Sequence, residues 1–243
     1  MILRIIVAIL LIMALSTTLY TWLNDQNPLP KSVGKDGKIM LKTKLPEIKV
    51  AAVYRIVDVE RVLIPPKKNL REVKFVPSES EAINILNSYL NISGYNGLVL
   101  KNVETVTTKT INTKTGEITK VKPEFVSIVY GREINGTPVI GPAADGIVAA
   151  VADNEVIYLS KLWRKVEKIG EKRIITAENA LKKLEYGELL NNPLYTGTKL
   201  EIRDVKLAYY AENENQKYYK VVWLFKCVDE YGNWVDIIVD ASS

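Results

Sequence analysis

Residues Tyr130–Gly141 read YGREINGTPVIG, and the fold prediction starts from this stretch. At its centre, Asn135-Gly136 is a strong β-hairpin signal, because both residues tolerate the positive φ angles that a two-residue turn requires. The runs on either side, 119–134 and 137–140, are rich in β-branched residues and are predicted strands. The stretch therefore predicts an antiparallel hairpin in the middle of the chain.

Further predicted strands lie on both sides of this hairpin, and the connections around Asn112–Gly116 and at Asp153-Asn154 are predicted turns. Before and after it they are Val50–Leu63, Leu98–Thr110, Ile147–Ala152 and Glu155–Leu159. Val50–Leu63 is expected to join the sheet that the others form.

A first helix is predicted to begin at Ser78, because Ser78 and Glu81 form a capping-box pair in which each side chain satisfies a backbone N–H group. Apolar residues then recur at helical spacing on one face, and Gly94 is the expected stop. The residues of this face are Ala82, Ile83, Leu86, Tyr89 and Leu90.

A similar pattern follows later in the chain. Thr176 is the expected cap of a second helix, which carries Ala177, Ala180, Leu181 and Leu184 and is followed by Gly187. Three β-like runs come after it, at Lys199–Tyr210, Lys217–Val228 and Trp234–Asp240. Two helix-plus-hairpin segments in one chain predict an internal repeat.

The apolar segment Ile5–Leu23 has nineteen residues without a charge and follows Arg4. As a helix it would be about 28 Å long, close to the hydrocarbon thickness of a bilayer, and Tyr20 and Trp22 would lie at the membrane interface. We therefore predict a transmembrane signal anchor that contacts lipid, with a cytoplasmic N-terminus and an extracellular ectodomain. The alternative is a signal peptide that is cleaved near Ala14-Leu15-Ser16, which would give a secreted protein.

The predicted fold class is α+β: an N-terminal transmembrane helix followed by two tandem units, each a helix packed on an antiparallel sheet. The predicted domains are the anchor at 1–24, a stalk at 25–49, a first unit at 50–170 and a second unit at 171–243. The stalk assignment follows from the Pro and Gly residues of this segment and its lack of periodicity.

Composition argues against several classes of function. The sequence contains no histidine, which removes the commonest general base and metal ligand, and it shows no glycine-rich phosphate loop. The net charge is +5, but residues 51–243 contribute only +1, too little for a nucleic-acid-binding face. We expect no enzyme activity, no cofactor, no metal site and no nucleic-acid partner.

The single cysteine, Cys227, shares one side of an alternating strand with Trp223 and Phe225, which predicts a buried structural thiol. Trp163, Trp223 and Trp234 are predicted to anchor the core rather than to face a ligand. The adjacent carboxylates Asp229 and Glu230 are interpreted as solvated turn residues.

Two triplets match the N-glycosylation sequon, at Asn91-Ile92-Ser93 and Asn135-Gly136-Thr137. Asn91 is the better candidate, because it is expected at a helix end. A glycan on Asn135 would have to be accommodated in a tight turn.

The hairpin motif Tyr130–Gly141 and the strand-turn segment Gly146–Val156 resemble PepSY and propeptide-type modules. The segments Val205–Tyr210 and Tyr218–Phe225 are similar to the C-terminal part of membrane-anchored two-component-system regulatory proteins of the YycI/YycH type, although Val221 stands where that pattern usually has proline. The resemblance implies tandem PepSY-like units in a non-catalytic module that restrains or senses a partner, typically a sensor kinase or a peptidase.

The leading functional hypothesis is a membrane-anchored, extracytoplasmic, non-catalytic regulatory or interaction module that binds an unidentified membrane or cell-surface protein. One alternative is a structural subunit of a cell-surface or envelope assembly. The other is a peptidase inhibitor or propeptide-like chaperone.

Overall fold

The computed structural model describes residues 38–66, 73–113, 115–191, 193 and 199–242. Most of these residues lie in strands. The elements are β1 (Lys38–Leu41), β2 (Val50–Ile64), α1 (Glu79–Leu90), β3 (Leu98–Ile111), β4 (Ile118–Ile134), β5 (Thr137–Ile140), β6 (Gly146–Ala152), β7 (Glu155–Arg173), α2 (Ala177–Glu185), β8 (Lys199–Tyr210), β9 (Lys220–Asp229) and β10 (Trp234–Asp240).

The predicted fold class is wrong, because the strands form a mixed sheet rather than two tandem antiparallel units. Strand β8 pairs in parallel with β1, from Lys38 opposite Lys199, and also in parallel with β5, where Val139 lies opposite Tyr209. Strand β5 belongs to the first predicted repeat and β8 to the second. Each repeat therefore lacks a separate sheet of its own.

Among the described residues, no helix is both long enough and apolar enough to cross a bilayer. The predicted anchor at 1–24, with Arg4, Tyr20 and Trp22, lies outside the described residues. The predicted stalk is described only from Lys38 onward, and Lys38–Leu41 is strand β1.

The chain divides into two compact units, and neither is continuous in sequence. We call the unit of Val50–Arg173 and Leu207–Val222 the central unit. The terminal unit consists of the described residues of Ile174–Lys206 and Trp223–Ser243, together with residues 38–49.

In the central unit, β4 lies between β3 and β6, and β6 pairs with β7, which in turn pairs with β2, all antiparallel. Alternate residues of β4 are buried from Val126 to Ile134, as the period of two in a strand requires. Helix α1 covers this face through Ala82 and Leu86, both fully buried.

The predicted start of α1 is confirmed. Ser78 is the N-cap, and its hydroxyl accepts from the Glu81 N–H group while the Glu81 carboxylate accepts from the Ser78 N–H group. The predicted end is wrong, because the helix stops at Asn91 in the left-handed conformation, before Gly94. Tyr89 was placed on the buried face but is 55% exposed.

In the terminal unit, Thr176 caps α2 as predicted, and its hydroxyl accepts from the Asn179 N–H group at 3.3 Å. Trp223 is fully buried and donates from its indole N–H to the carbonyl of Ile175 at 2.9 Å. Cys227 is buried as predicted, and burial raises the pKa of its thiol to about 12, so the thiol stays neutral near pH 7.

The strand prediction at Glu155–Leu159 was too short, because β7 continues to Arg173. The second half of β7 pairs with β2 from Val50 to Glu60. The sequence there, KVEKIGEKR, is mostly charged and exposed, so it lacks the apolar run that identified the first half.

Candidate functional site

The candidate interaction site is the tip of the β3–β4 hairpin, residues 107–123, which we call the arm. Strand β4 pairs with β6 only from Val126 onward, so within the arm each strand has only the other as its sheet partner among the described residues. Nearly all arm side chains are exposed. A two-stranded ribbon of this kind is marginally stable in water and gains stability when it packs against another surface.

One face of the arm carries three exposed apolar side chains and Lys109. Ile111 lies directly opposite Ile118, and Val121 lies opposite Lys109 on the same face. The exposed fractions of the three apolar side chains are 53%, 53% and 54%. Since they share one face, they form a continuous apolar strip rather than scattered surface residues.

The other face of the arm is polar and basic. Thr110 lies opposite Lys120, and Thr108 lies opposite Lys122. The Thr108 hydroxyl donates to Glu124 at 2.9 Å, and Lys122 forms an ion pair with the same carboxylate at 3.5 Å. Residues 107–123 contain four lysines and one glutamate, a net charge of +3.

A second exposed feature lies in the terminal unit, at the turn between β9 and β10; we call residues 229–236 the aromatic turn. Tyr231 is 71% exposed and Trp234 is 66% exposed. The prediction that Trp234 anchors the core is therefore wrong, whereas Trp163 and Trp223 are buried as predicted. Two large exposed aromatic side chains within four residues are typical of an interaction surface.

The backbone of the aromatic turn is held by one carboxylate. Asp229 accepts from the N–H groups of Tyr231 at 2.9 Å and Asn233 at 2.8 Å. Partial desolvation acts to raise the pKa of Asp229, but the hydrogen bonds from Asn233, Tyr231 and Gly232 outweigh it and lower the pKa. Asp229 is therefore ionised at neutral pH. Asp229 thus lies at the turn between β9 and β10, as predicted.

A third feature is a group of charged side chains buried in the central unit, which we call the charge cluster: Arg132, Asp145 and Arg164. Arg132 donates to Oδ2 of Asp145 at 2.6 Å, and the Arg164 guanidinium donates to Oδ1. Oδ2 also accepts from the Arg164 backbone N–H group at 3.0 Å, and Oδ1 accepts from the Tyr219 hydroxyl at 2.8 Å. One carboxylate thus accepts four hydrogen bonds and balances one of two guanidinium charges.

Aromatic rings and carbonyls compensate part of the remaining positive charge. Arg132 lies over the ring of Trp163, with 4.9 Å from Cζ to the ring centroid, and Arg164 donates to the carbonyl of Ala143 at 2.8 Å. Burial raises the pKa of Tyr219, and the neighbouring Asp145 carboxylate raises it further, so the hydroxyl remains a donor.

Strand lengths explain where the cluster lies. Strand β6 begins at Gly146, between β4 and β7, and both neighbours extend beyond that point. Asp145 therefore lies in the gap that β6 leaves, between Arg132 of β4 and Arg164 of β7. The cluster replaces sheet pairing at this position and joins the two flanking strands.

Beside the cluster, the buried Lys161 donates to Glu60 and to the hydroxyl of Tyr95, the latter at 2.7 Å. Burial acts to lower the pKa of Lys161, but these two hydrogen bonds outweigh it and raise the pKa. Each charged group of this region contacts protein groups, although the buried Nε atoms of Arg132 and Arg164 make no hydrogen bond among the described residues. We therefore interpret the charge cluster and Lys161 as structural, and the two exposed features as the surfaces that can bind.

Within the described part of the chain, no group of three or more Cys, Asp or Glu side chains is placed to hold a metal ion.

The two sequon asparagines lie at backbone positions with positive φ. Asn91 is the exposed C-cap of α1, with φ of 49°. Asn135 lies in the β4–β5 turn with φ of 51°, and its amide nitrogen, the atom that a glycan would modify, donates to the Tyr54 hydroxyl at 2.8 Å. Glycosylation of either residue stays a prediction, and Asn135 would have to give up this hydrogen bond.

The sequence reasoning missed the charge cluster, although a signal was present. Arg132 occupies an inward position in the alternating series of Val126, Ile128, Tyr130 and Ile134. An arginine in such a series indicates a buried ion pair. The arm was predicted as two strands and a turn, but its exposure depends on where β6 ends, which its own residues do not show.

No protein-family model matches this chain, and no curated protein sequence matches it. Among solved structures, it is similar to an uncharacterized protein from Eubacterium rectale, at 13% sequence identity and a TM-score of 0.35, over 68% of this chain and 53% of that chain. The chain thus spans about half the length of that protein. A likeness at this level carries no argument about function.

Proposed function

We propose that this chain is a non-catalytic interaction module that binds a protein partner through its arm. The observation that carries the proposal is the strip of Ile111, Ile118 and Val121, each about half exposed on a ribbon that has no other sheet partner among the described residues. The absence of histidine from the sequence supports a non-catalytic role.

Energetics favour a bound arm. Covering each half-exposed Ile or Val side chain would contribute on the order of 1 kcal/mol through removal of apolar surface from water. The ribbon is already held in its conformation at its tip, where the Asn112 N–H group donates to the carbonyl of Glu117 at 2.8 Å. Binding therefore orders few additional residues.

The side chains of the arm also indicate what kind of surface the partner presents. An apolar strip with Lys109 on the same face fits an apolar surface that carries acidic side chains at its edge. We propose a protein with such a surface, rather than an anionic lipid bilayer, because the apolar strip and the lysines Lys120 and Lys122 lie on opposite faces of the ribbon. A bilayer would have to contact both faces at once.

We further propose that the module acts outside the cytoplasm. The support is the charge-free segment Ile5–Leu23 after Arg4, which is typical of an export signal. Protease added to intact cells should digest the chain, and N-terminal sequencing of the mature protein should show whether Ile5–Leu23 is retained. Full protection in intact cells, with digestion only after lysis, would contradict this location.

The arm proposal is tested with a variant that removes the apolar strip but keeps β-branched side chains: Ile111→Thr, Ile118→Thr and Val121→Thr together. A photo-crosslinking amino acid at position 111 of the full chain in its native cells should give one discrete adduct. The adduct protein is then identified and purified. We expect the triple variant to weaken its binding about a hundredfold, since three contacts of about 1 kcal/mol are lost.

The matched control is Leu63→Thr, which removes an apolar side chain that is 69% exposed on β2, away from the arm in sequence. It should bind the purified partner as the unaltered chain does. Equal binding by the triple variant would overturn the proposal. Binding of the unaltered chain to vesicles of phosphatidylglycerol, lost on Lys120→Gln/Lys122→Gln, would replace the protein partner by a membrane.

A further inference from the structure

The arm and the aromatic turn are complementary in chemistry. The arm carries an aliphatic strip with the positive charge of Lys109 on the same face. The aromatic turn carries Asp229, Glu230 and Asp236, the last in an ion pair with Lys226 at 3.9 Å, together with exposed Tyr231 and Trp234. An aromatic surface edged by carboxylates is what the arm would require of a partner.

Both surfaces are pre-organised. The aromatic turn is fixed by the hydrogen bonds to Asp229 and by the Gly232 N–H group, which donates to the Asp229 carbonyl at 3.1 Å. Gly232 has φ of 85°, which closes the turn and leaves Tyr231 on the outside. A rigid turn with aromatic anchors loses little conformational entropy when it is covered.

We propose that the partner of the arm is a second copy of this chain, whose aromatic turn receives the arm. This inference rests on the proposed function of the arm and names its partner. The apolar strip would pack on Trp234 and Tyr231, while Lys109, which lies on the face of the strip, pairs with a carboxylate of the turn. Each chain then carries one donor surface and one acceptor surface.

Such a contact is heterologous, because the two surfaces that meet are different. Contacts of this kind repeat from copy to copy and give closed rings or open chains, rather than a dimer that stops at two. The inference therefore favours the structural-subunit hypothesis over a module that binds only a foreign protein.

The test uses the full chain, purified in a mild non-ionic detergent and studied by sedimentation velocity over a range of concentrations. The unaltered chain should form species larger than dimers. An arm variant, Lys109→Glu, and a turn variant, Tyr231→Ser/Trp234→Ser, should each stay monomeric up to a concentration about tenfold higher than the unaltered chain does.

Mixing the two variants gives the distinctive result. The arm variant keeps an intact turn and the turn variant keeps an intact arm, so an equimolar mixture should form one-to-one dimers that do not grow further. Charge reversal on both sides, with Glu230→Lys/Asp236→Lys added to the arm variant, should restore the larger species. Mixtures that remain monomeric would overturn the heterologous contact, and so would an unaltered chain that remains monomeric.

The outcome also separates this inference from the proposed function. Suppose that the unaltered chain is monomeric and binds a purified protein of a different sequence, and that the triple threonine variant no longer binds this protein. The arm then binds a partner, and only the second-copy inference fails. If neither self-association nor binding to another protein depends on the arm, both fail. Folding of each variant is checked by an unchanged circular dichroism spectrum and melting temperature.

Discussion

Asp145→Asn should lower the free energy of unfolding by about 3–5 kcal/mol, because breaking a buried ion pair leaves uncompensated charge behind. Arg132 and Arg164 would then share a neutral amide in place of the carboxylate that both contact. The Asp145 side chain has no exposed surface, so water cannot take over its role without local opening.

The change is measured by thermal and urea unfolding of the full chain. A loss of this size corresponds to a fall in melting temperature of about 10 °C for a protein of this length. The matched control is Asp58→Asn, an exposed residue whose Oδ1 accepts from the adjacent Val59 N–H group. That change should leave the melting temperature almost unaltered.

A second variant tests whether uncompensated charge causes the destabilisation by Asp145→Asn. Arg132→Met, Asp145→Leu and Arg164→Met together remove all three charges and keep similar volumes, so the triple variant should be more stable than Asp145→Asn alone. If Asp145→Asn matched the unaltered chain in both unfolding measurements, the charge cluster would not hold β4 and β7 together as we describe.

Gly97→Ala is expected to destabilise the protein by about 2–4 kcal/mol, from the sum of an unfavourable positive φ and a steric overlap. Gly97 has φ of 79°, and a Cβ atom built there would lie 1.8 Å from the carbonyl oxygen of Glu133. The carbonyl of Gly97 also accepts from the Glu133 N–H group at 2.8 Å, so the overlap cannot be relieved without losing this bond.

Gly94→Ala, three residues earlier, is the control for Gly97→Ala. A Cβ atom at Gly94 would meet no heavy atom within 4 Å. It should change the melting temperature by no more than about 1–2 °C, as surface substitutions usually do. Equal effects of the two substitutions would show that the close approach of the Glu133 carbonyl to Gly97 does not limit the stability of the protein.

Local signals were predicted well, because the residues that carry them interact with near neighbours in sequence. Ser78 and Glu81 lie three positions apart and cap α1 as expected. Asn135 and Gly136 both adopt positive φ in the β4–β5 turn. The alternation that predicted a buried Cys227 depends only on the pleat of a single strand.

Trp234 shows where such reasoning fails. Its residue type and its place in a β-like run predicted burial, yet it is 66% exposed. The exposure of Trp234, the first residue of β10, depends on which elements pack against its face of the strand. No short-range sequence pattern predicts that packing. For the same reason the arm was predicted as strands without its exposure.

The sequence by itself determined the two helix starts, the turn at Asn135-Gly136, nearly all the strands and the neutral buried thiol. The tertiary structure decided that β8 pairs in parallel with β1 and β5, that Arg132 and Arg164 meet at Asp145, and that the arm and Trp234 face solvent. Caps, turns and alternation arise between residues a few positions apart. Strand order, charge clustering and exposure arise between residues that are far apart in sequence, such as Lys38 and Lys199, which are 161 positions apart. These features depend on the packing of the folded chain.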